Sequence, residues 1–117
     1  MTVGALLRSA LTDLGHPIYP KVYTGPENHY FVYDILDDRG DDFGDDIPDA
    51  DHYWIRLKFY FPIGENQFSM RKTVRNRLHD AGFSYAEITE VSFHDEGMDG
   101  LEFDCEYIAE SEVESNG

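Results

Sequence analysis

Residues 53–61, YWIRLKFYF, sort their side chains by parity. Tyr53, Ile55, Leu57, Phe59 and Phe61 share one face of an extended chain. Trp54, Arg56, Lys58 and Tyr60 share the other. Side chains alternate across a strand, so this pattern predicts one buried face and one wet or contact-making face. Working upstream, residues 29–35, HYFVYDI, are apolar on both faces and predict a strand central in a sheet. Between the two lies DILDDRGDDFGDDIPDAD, residues 34–51, with nine aspartates and Arg39 as the one basic residue. It carries about half of the net charge of −15. Gly40, Gly44 and Pro48 punctuate it, and no period of strand or helix is visible. The expectation is an acidic loop over about residues 36–51, or a hairpin tip with frayed strand ends.

The flanks complete the pattern. Val3, Leu6, Leu7, Ala10, Leu11 and Leu14 form one apolar stripe, which predicts an amphipathic helix from about Thr2 to Leu14. Gly15 and Pro17 stop it. A short extended piece covers residues 17–23. After the Pro62-Ile63-Gly64 break, a second helix is predicted from Gln67 to Ala81, burying Met70, Val74, Leu78 and Ala81 and ending at Gly82. Residues 85–93 and 101–109 predict a terminal hairpin, with Leu101, Phe103, Cys105, Tyr107 and Ala109 on one face and Glu102, Asp104 and Glu106 on the other. The expected class is α+β, with two helices packed on one face of a mostly antiparallel sheet of about four to five strands. The 117 residues suit a single domain over 1–109, followed by an acidic, flexible tail at 110–117. A compact chain of this length has a radius of gyration of roughly 13 Å.

Composition narrows the function. Nine Lys and Arg against 24 Asp and Glu argue against binding nucleic acid through its phosphates or an anionic membrane surface. The surplus admits basic protein partners, divalent cations, a surface that repels DNA, or adaptation to salt, the lysines being only Lys21, Lys58 and Lys72. The aromatic supply, eight Tyr, eight Phe and one Trp, argues against wholesale disorder. Cys105 is the lone cysteine, so no internal disulfide forms, and the chain fits a reducing compartment. Residues 1–15 read as a helix and not a signal peptide, and no apolar stretch approaches the ~20 residues of a membrane span.

Chemistry-bearing patterns are few. A regular calcium loop needs oxygen ligands at positions 1, 3 and 5, glycine at 6 and glutamate at 12. Counting from Asp37 places Arg39, Asp42 and Pro48 at positions 3, 6 and 12; counting from Asp41 places Phe43, Asp46 and His52 there. Both registers fail. The run reads as a solvated, self-repelling loop, with weak Mg²⁺ or Ca²⁺ binding by Asp41, Asp42, Asp45 and Asp46 as the alternative. His16, His29, His52, His79 and His94 lack metal-ligand spacing, and Cys105 on an apolar strand face reads as a buried, inert thiol. No nucleophile elbow, P-loop or dinucleotide fingerprint is present. The expectation is a non-enzyme without a cofactor. Charge is asymmetric: Arg71, Lys72, Arg75 and Arg77 gather on the second helix, while acid gathers in the loop and tail. Protomers meeting head to tail would place one patch on the other and close into rings.

The order of elements resembles the small tail-terminator or tail-completion (head-to-tail joining) proteins of long-tailed bacteriophages. The matching stations are LTDLGHPIYP, VYTGPENHYFVYDI, HYWIRLKFYFP, the arginine-rich helix ending RLHDAGF, and EITEVSFHDEGMDGLEFDCEYI, together about residues 5–109. The aspartate run is richer in acid than the family pattern. The resemblance implies a structural virion protein that forms a ring, usually a hexamer, at the head-proximal end of the tail tube. Its partners would be copies of itself, the tail tube protein and head connector proteins. Its location would be the virion tail, after assembly in the bacterial host cytoplasm. DNA would pass without specific binding, and no membrane is involved. No catalytic residues come with the family. On this reading Asp37, Asp38, Asp41, Asp42, Asp45 and Asp46 face the lumen or a neighbouring subunit. Trp54 and Tyr60 suit an interface, as large amphipathic side chains do, and Arg71, Arg75 and Arg77 supply the basic patch. The alternatives are an acidic DNA mimic and a cation-regulated protein-binding module.

Overall fold

The computed structural model describes residues 2–41, 50–93 and 97–110. Helix α1, Val3–Leu11, starts at Thr2, whose hydroxyl accepts a hydrogen bond from the Ala5 N–H at 3.1 Å. That cap satisfies one of the donors a helix start leaves open. A 3₁₀ turn, Thr12–Leu14, prolongs α1, and β1, Ile18–Pro20, follows. Strands β2 (Tyr30–Asp41) and β3 (Ala50–Pro62), helix α2 (Phe68–Asp80), and strands β4 (Glu87–Phe93) and β5 (Met98–Glu110) complete the order. Gly15 and Gly82, at φ 82° and 101°, end the helical segments in left-handed backbone that a Cβ disfavours.

The strands form one five-stranded sheet in the order β1-β2-β3-β5-β4. Only β1 and β2 run parallel; the remaining neighbours are antiparallel. The α+β class and the mostly antiparallel sheet agree with the sequence expectation. Strand β2 is internal, as its two apolar faces suggest: Phe31 and Tyr33 are buried on one face and Val32 on the other, beside Lys58 of β3.

One apolar cluster holds the fold together. It joins Val3, Leu7 and Leu11 of α1, Val74 and Leu78 of α2, Phe31 and Tyr33 of β2, the row Ile55, Leu57, Phe59 and Phe61 of β3, and Leu101, Phe103 and Cys105 of β5. The alternate residues Ile55 to Phe61 of β3 are therefore the floor of the core. Fully burying one such side chain contributes about 1.5–3 kcal/mol.

Two features differ from expectation. Strand β2 continues to Asp41 and β3 begins at Ala50, so Asp37, Asp38 and Asp41 stand on paired strand where a loop from about residue 36 was expected. The reason is pairing: β3 is bonded to β5 from Ala50 through Pro62, and this central ladder gives β2 a template beyond its apolar stretch. The register shifts between Ile35 and Asp37, leaving Leu36 as the extra residue of a bulge. Strands of 12 and 13 residues also lengthen the molecule to 51 Å, and the radius of gyration is 15.8 Å. Asp42, Asp45 and Asp46, and residues 111–117 of the tail, lie outside the described residues.

Candidate interaction surface

The second parity row of β3 faces away from the core, and its neighbours on β2 and β5 decide its chemistry. Tyr60 lies opposite Tyr30, Lys58 opposite Val32 and Glu102, Arg56 opposite Asp34 and Asp104, and Trp54 opposite Asp37 and Glu106. Arg56 donates from Nε to Asp104 Oδ1 at 2.9 Å and from Nη2 to Oδ2 at 3.1 Å, and Glu102 Oε1 lies 3.1 Å from Nε. Arg56 thus stands between two acidic side chains and Lys58 beside one, and cross-strand pairs of opposite charge are worth roughly 0.2–1 kcal/mol.

Aromatic groups occupy both ends of this face. At one end Tyr19, Tyr23, Tyr30 and Tyr60 form a chain of rings with successive centroids 5.2, 4.7 and 5.1 Å apart. At the other, Trp54 stacks on His52 at 3.9 Å, and His52 Nε2 lies 3.1 Å from Glu106 Oε1. Trp54 and Tyr60 therefore share a face, as expected, but six residues of strand separate them by about 20 Å.

Beside Trp54 the surface dips into a groove of about 270 Å³. Its side chains include Leu36, Trp54, Tyr85, Glu87, Asp104 and Glu106. Leu36 is brought there by the β2 bulge and is half exposed, as is Tyr85. Ser84 fixes the segment before β4: its N–H donates to the Glu106 carbonyl at 2.8 Å, and its hydroxyl accepts from the Glu106 N–H at 2.9 Å. The sequence flagged Glu102, Asp104 and Glu106 as one row. Leu36 and Tyr85 carried no periodic signal, because a bulge and a strand approach are not periodic.

The arginines of α2 have partners within the chain. Arg77 forms an ion pair with Asp13, tying α2 to the 3₁₀ turn, and this contact holds the Asp13 carboxyl below its ordinary range. Arg75 lies over the Tyr85 ring at 4.6 Å, and its buried Nε has no hydrogen-bond partner among the described residues. Arg71 lies over Phe68 at 5.4 Å and 3.8 Å from Glu90. Lys72 is exposed. Water screens exposed pairs of this kind and they add little stability, yet they already orient three of the four basic groups.

Among the described residues, no three His, Cys, Asp or Glu side chains converge to hold a metal ion. Cys105 is buried on the core face. Burial first, then the carboxylates of Asp104 and Glu106, push its thiol up to about 12, so it stays protonated and unreactive at neutral pH. No helix among the described residues is long and apolar enough to cross a membrane.

His16 is the residue with a pH consequence. Its ring stacks on His29 at 5.6 Å and packs on Phe31 and Phe59. His29 in turn meets Glu65 at 2.7 Å and Asn28 at 2.8 Å. Burial first, then His29, lower the His16 pKa, against an opposing pull from Glu27. The unfolded chain accepts a proton near pH ~6.5 while the folded one resists it. Stability is therefore full above that pH and declines as pH falls below it, until the folded pKa is passed. The urea midpoint should drop between pH 7.5 and 5.5, and His16→Gln should flatten that drop. An identical slope in the variant would assign the effect elsewhere.

Comparison with solved structures shows a fold shared with a chain from the virion of a native gene transfer agent (GTA) particle. The TM-score is 0.52 at 13% identity, covering 93% of this chain and 87% of that one. At that identity the likeness is one of fold. No known family matches the sequence, and no curated protein is similar to it.

Proposed function

We propose that this chain is a structural protein of a phage-like virion, without enzymatic activity. In this reading it forms a ring, a hexamer, at the head-proximal end of the tail tube, stops tube polymerisation and joins tail to head. The carrying observation is the overlap of nearly the whole chain with a virion chain of the gene transfer agent particle. Both helices are taken to lie on one face of the sheet, leaving the charge-laddered face and its aromatic ends for contacts with neighbouring subunits, tube and connector. The aspartates of β2 and those beyond it, Asp42, Asp45 and Asp46, are taken to face the lumen, where a wall without phosphate-neutralising charge lets DNA pass without sticking.

Electron microscopy of the purified protein, with native mass measurement, tests this reading. Rings of a single subunit number are expected. A monomer at all concentrations up to about 100 μM that binds basic DNA-binding proteins in a salt-sensitive way would overturn it in favour of the DNA-mimic alternative. Among the basic residues of α2, Lys72 is the cleaner probe of a helix-to-acid subunit contact. Reversing Arg77 also breaks its bond to Asp13.

A further inference from the structure

The groove beside Trp54 lies at one aromatic end of the charge-laddered face, and its composition suits a narrower class of partner. Its apolar lining includes Leu36, Trp54 and Tyr85 above Ile55 and Cys105, and its charged lining is Glu87, Asp104 and Glu106, with no basic residue among the described residues that line it. Arg56 holds Asp104 from beside it, and His52 reaches Glu106. Such a surface complements a long cationic side chain, whose methylene stem prefers apolar walls while its head seeks carboxylates and ring faces. The same chemistry already occurs within the fold, where Arg75 lies over Tyr85.

The chain itself is a poor source of that cation. Arg56, Arg71, Arg75 and Arg77 each lie on a partner of their own chain; Arg8, Lys21 and Lys72 are exposed, but the net charge of −15 opposes the approach of a second copy to this acidic groove. We propose that the groove is a docking site for a basic segment of a different protein. An arginine or lysine of that segment lays its stem on Leu36, Trp54 and Tyr85 and sets its charge against Glu87, Asp104 and Glu106. The charge complementarity of the groove carries this proposal, which does not depend on ring formation.

Trp54 is the only tryptophan, so its fluorescence reads the groove directly. The probe is a synthetic peptide of alternating arginine and valine, titrated into the full chain in about 0.15 M salt. A saturable change in Trp54 emission is expected. The double variant Glu87→Gln/Glu106→Gln should weaken binding at least about tenfold, while Glu27→Gln/Asp80→Asn, which removes the same charge elsewhere, should leave it within about twofold. Unchanged thermal melting of each variant confirms that it folds. No emission change, or equal weakening in both double variants, overturns the proposal, the latter because binding then follows net charge alone. Emission that shifts with protein concentration in the absence of peptide and then no longer responds to peptide also overturns it, since a second copy then fills the groove.

Discussion

Phe59→Ala is expected to cost about 3–5 kcal/mol of folding stability, the range for truncating a fully buried aromatic residue. Phe59 is completely buried at the centre of β3, and its ring meets Phe31 at 4.8 Å, Phe61 at 5.5 Å and His16 at 5.4 Å. These neighbours come from β2, from β3 and from the turn before β1, so the cavity would open where three segments meet and none can relax alone. With a total stability of about 5–15 kcal/mol for a domain, much of the margin would be lost. The melting temperature should fall by more than about 10 °C. A loss below about 1 kcal/mol, by urea denaturation, would show that Phe59 is not the keystone of this core. The same truncation at Phe68, which is exposed, should change little.

The second large effect is expected at Gly4, and its sign is the informative part. Replacing glycine by alanine inside a helix ordinarily stabilises it by about 0.8–1 kcal/mol. In α1 the added Cβ would fall against the Tyr33 hydroxyl and within 3.1 Å of its ring carbon Cζ. Tyr33 is itself buried, so its ring has little room to yield. Overpacking of this kind costs about 1–3 kcal/mol. Gly4→Ala should therefore destabilise the protein, and Gly4→Val more so. Tyr33→Phe removes the obstructing oxygen, so Gly4→Ala should be less harmful in that background. The four-member cycle, measured by thermal melting, checks this: additive effects would rule out a direct clash. The contact matters because it brings α1 against Tyr33 of β2 at a position where the helix carries no side chain.

Where the sequence was legible, the reason was local. The ends of both helical segments are readable because Gly15 and Gly82 act within a few residues of themselves. The core row of β3 was readable because alternation is a property of one strand. Cys105 followed from the alternation of β5 in the same way, and its buried, protonated thiol agrees. The candidate surface was legible only in part. Trp54 and Tyr60 were assigned to the face where they lie, whereas the docking role given to Arg71, Arg75 and Arg77 rested on counting charges along one helix. Counting could not reveal Asp13, Glu90 and Tyr85, which come from other elements to meet them. Nor could it place Leu36 and Tyr85 in one groove, since their separation in sequence carries no pattern.

The aspartate run shows the same division. Its composition, with Gly40, Gly44 and Pro48 inside it, argues against a strand, and yet β2 extends to Asp41 and β3 starts at Ala50. What the sequence by itself determined is which face of each helix and of β3 and β5 would turn to the core, because that follows from period and composition; how fully each side chain is covered, as at the half-buried Met70, Ala81 and Tyr53, depends on the packing. Tertiary structure alone decided the strand order β1-β2-β3-β5-β4, the length of the central ladder, the bulge at Leu36 and the partners of the arginines. All of these depend on contacts between segments far apart in the chain. Pairing energy shared across a sheet can hold acidic residues in a strand that their own propensities would leave as loop.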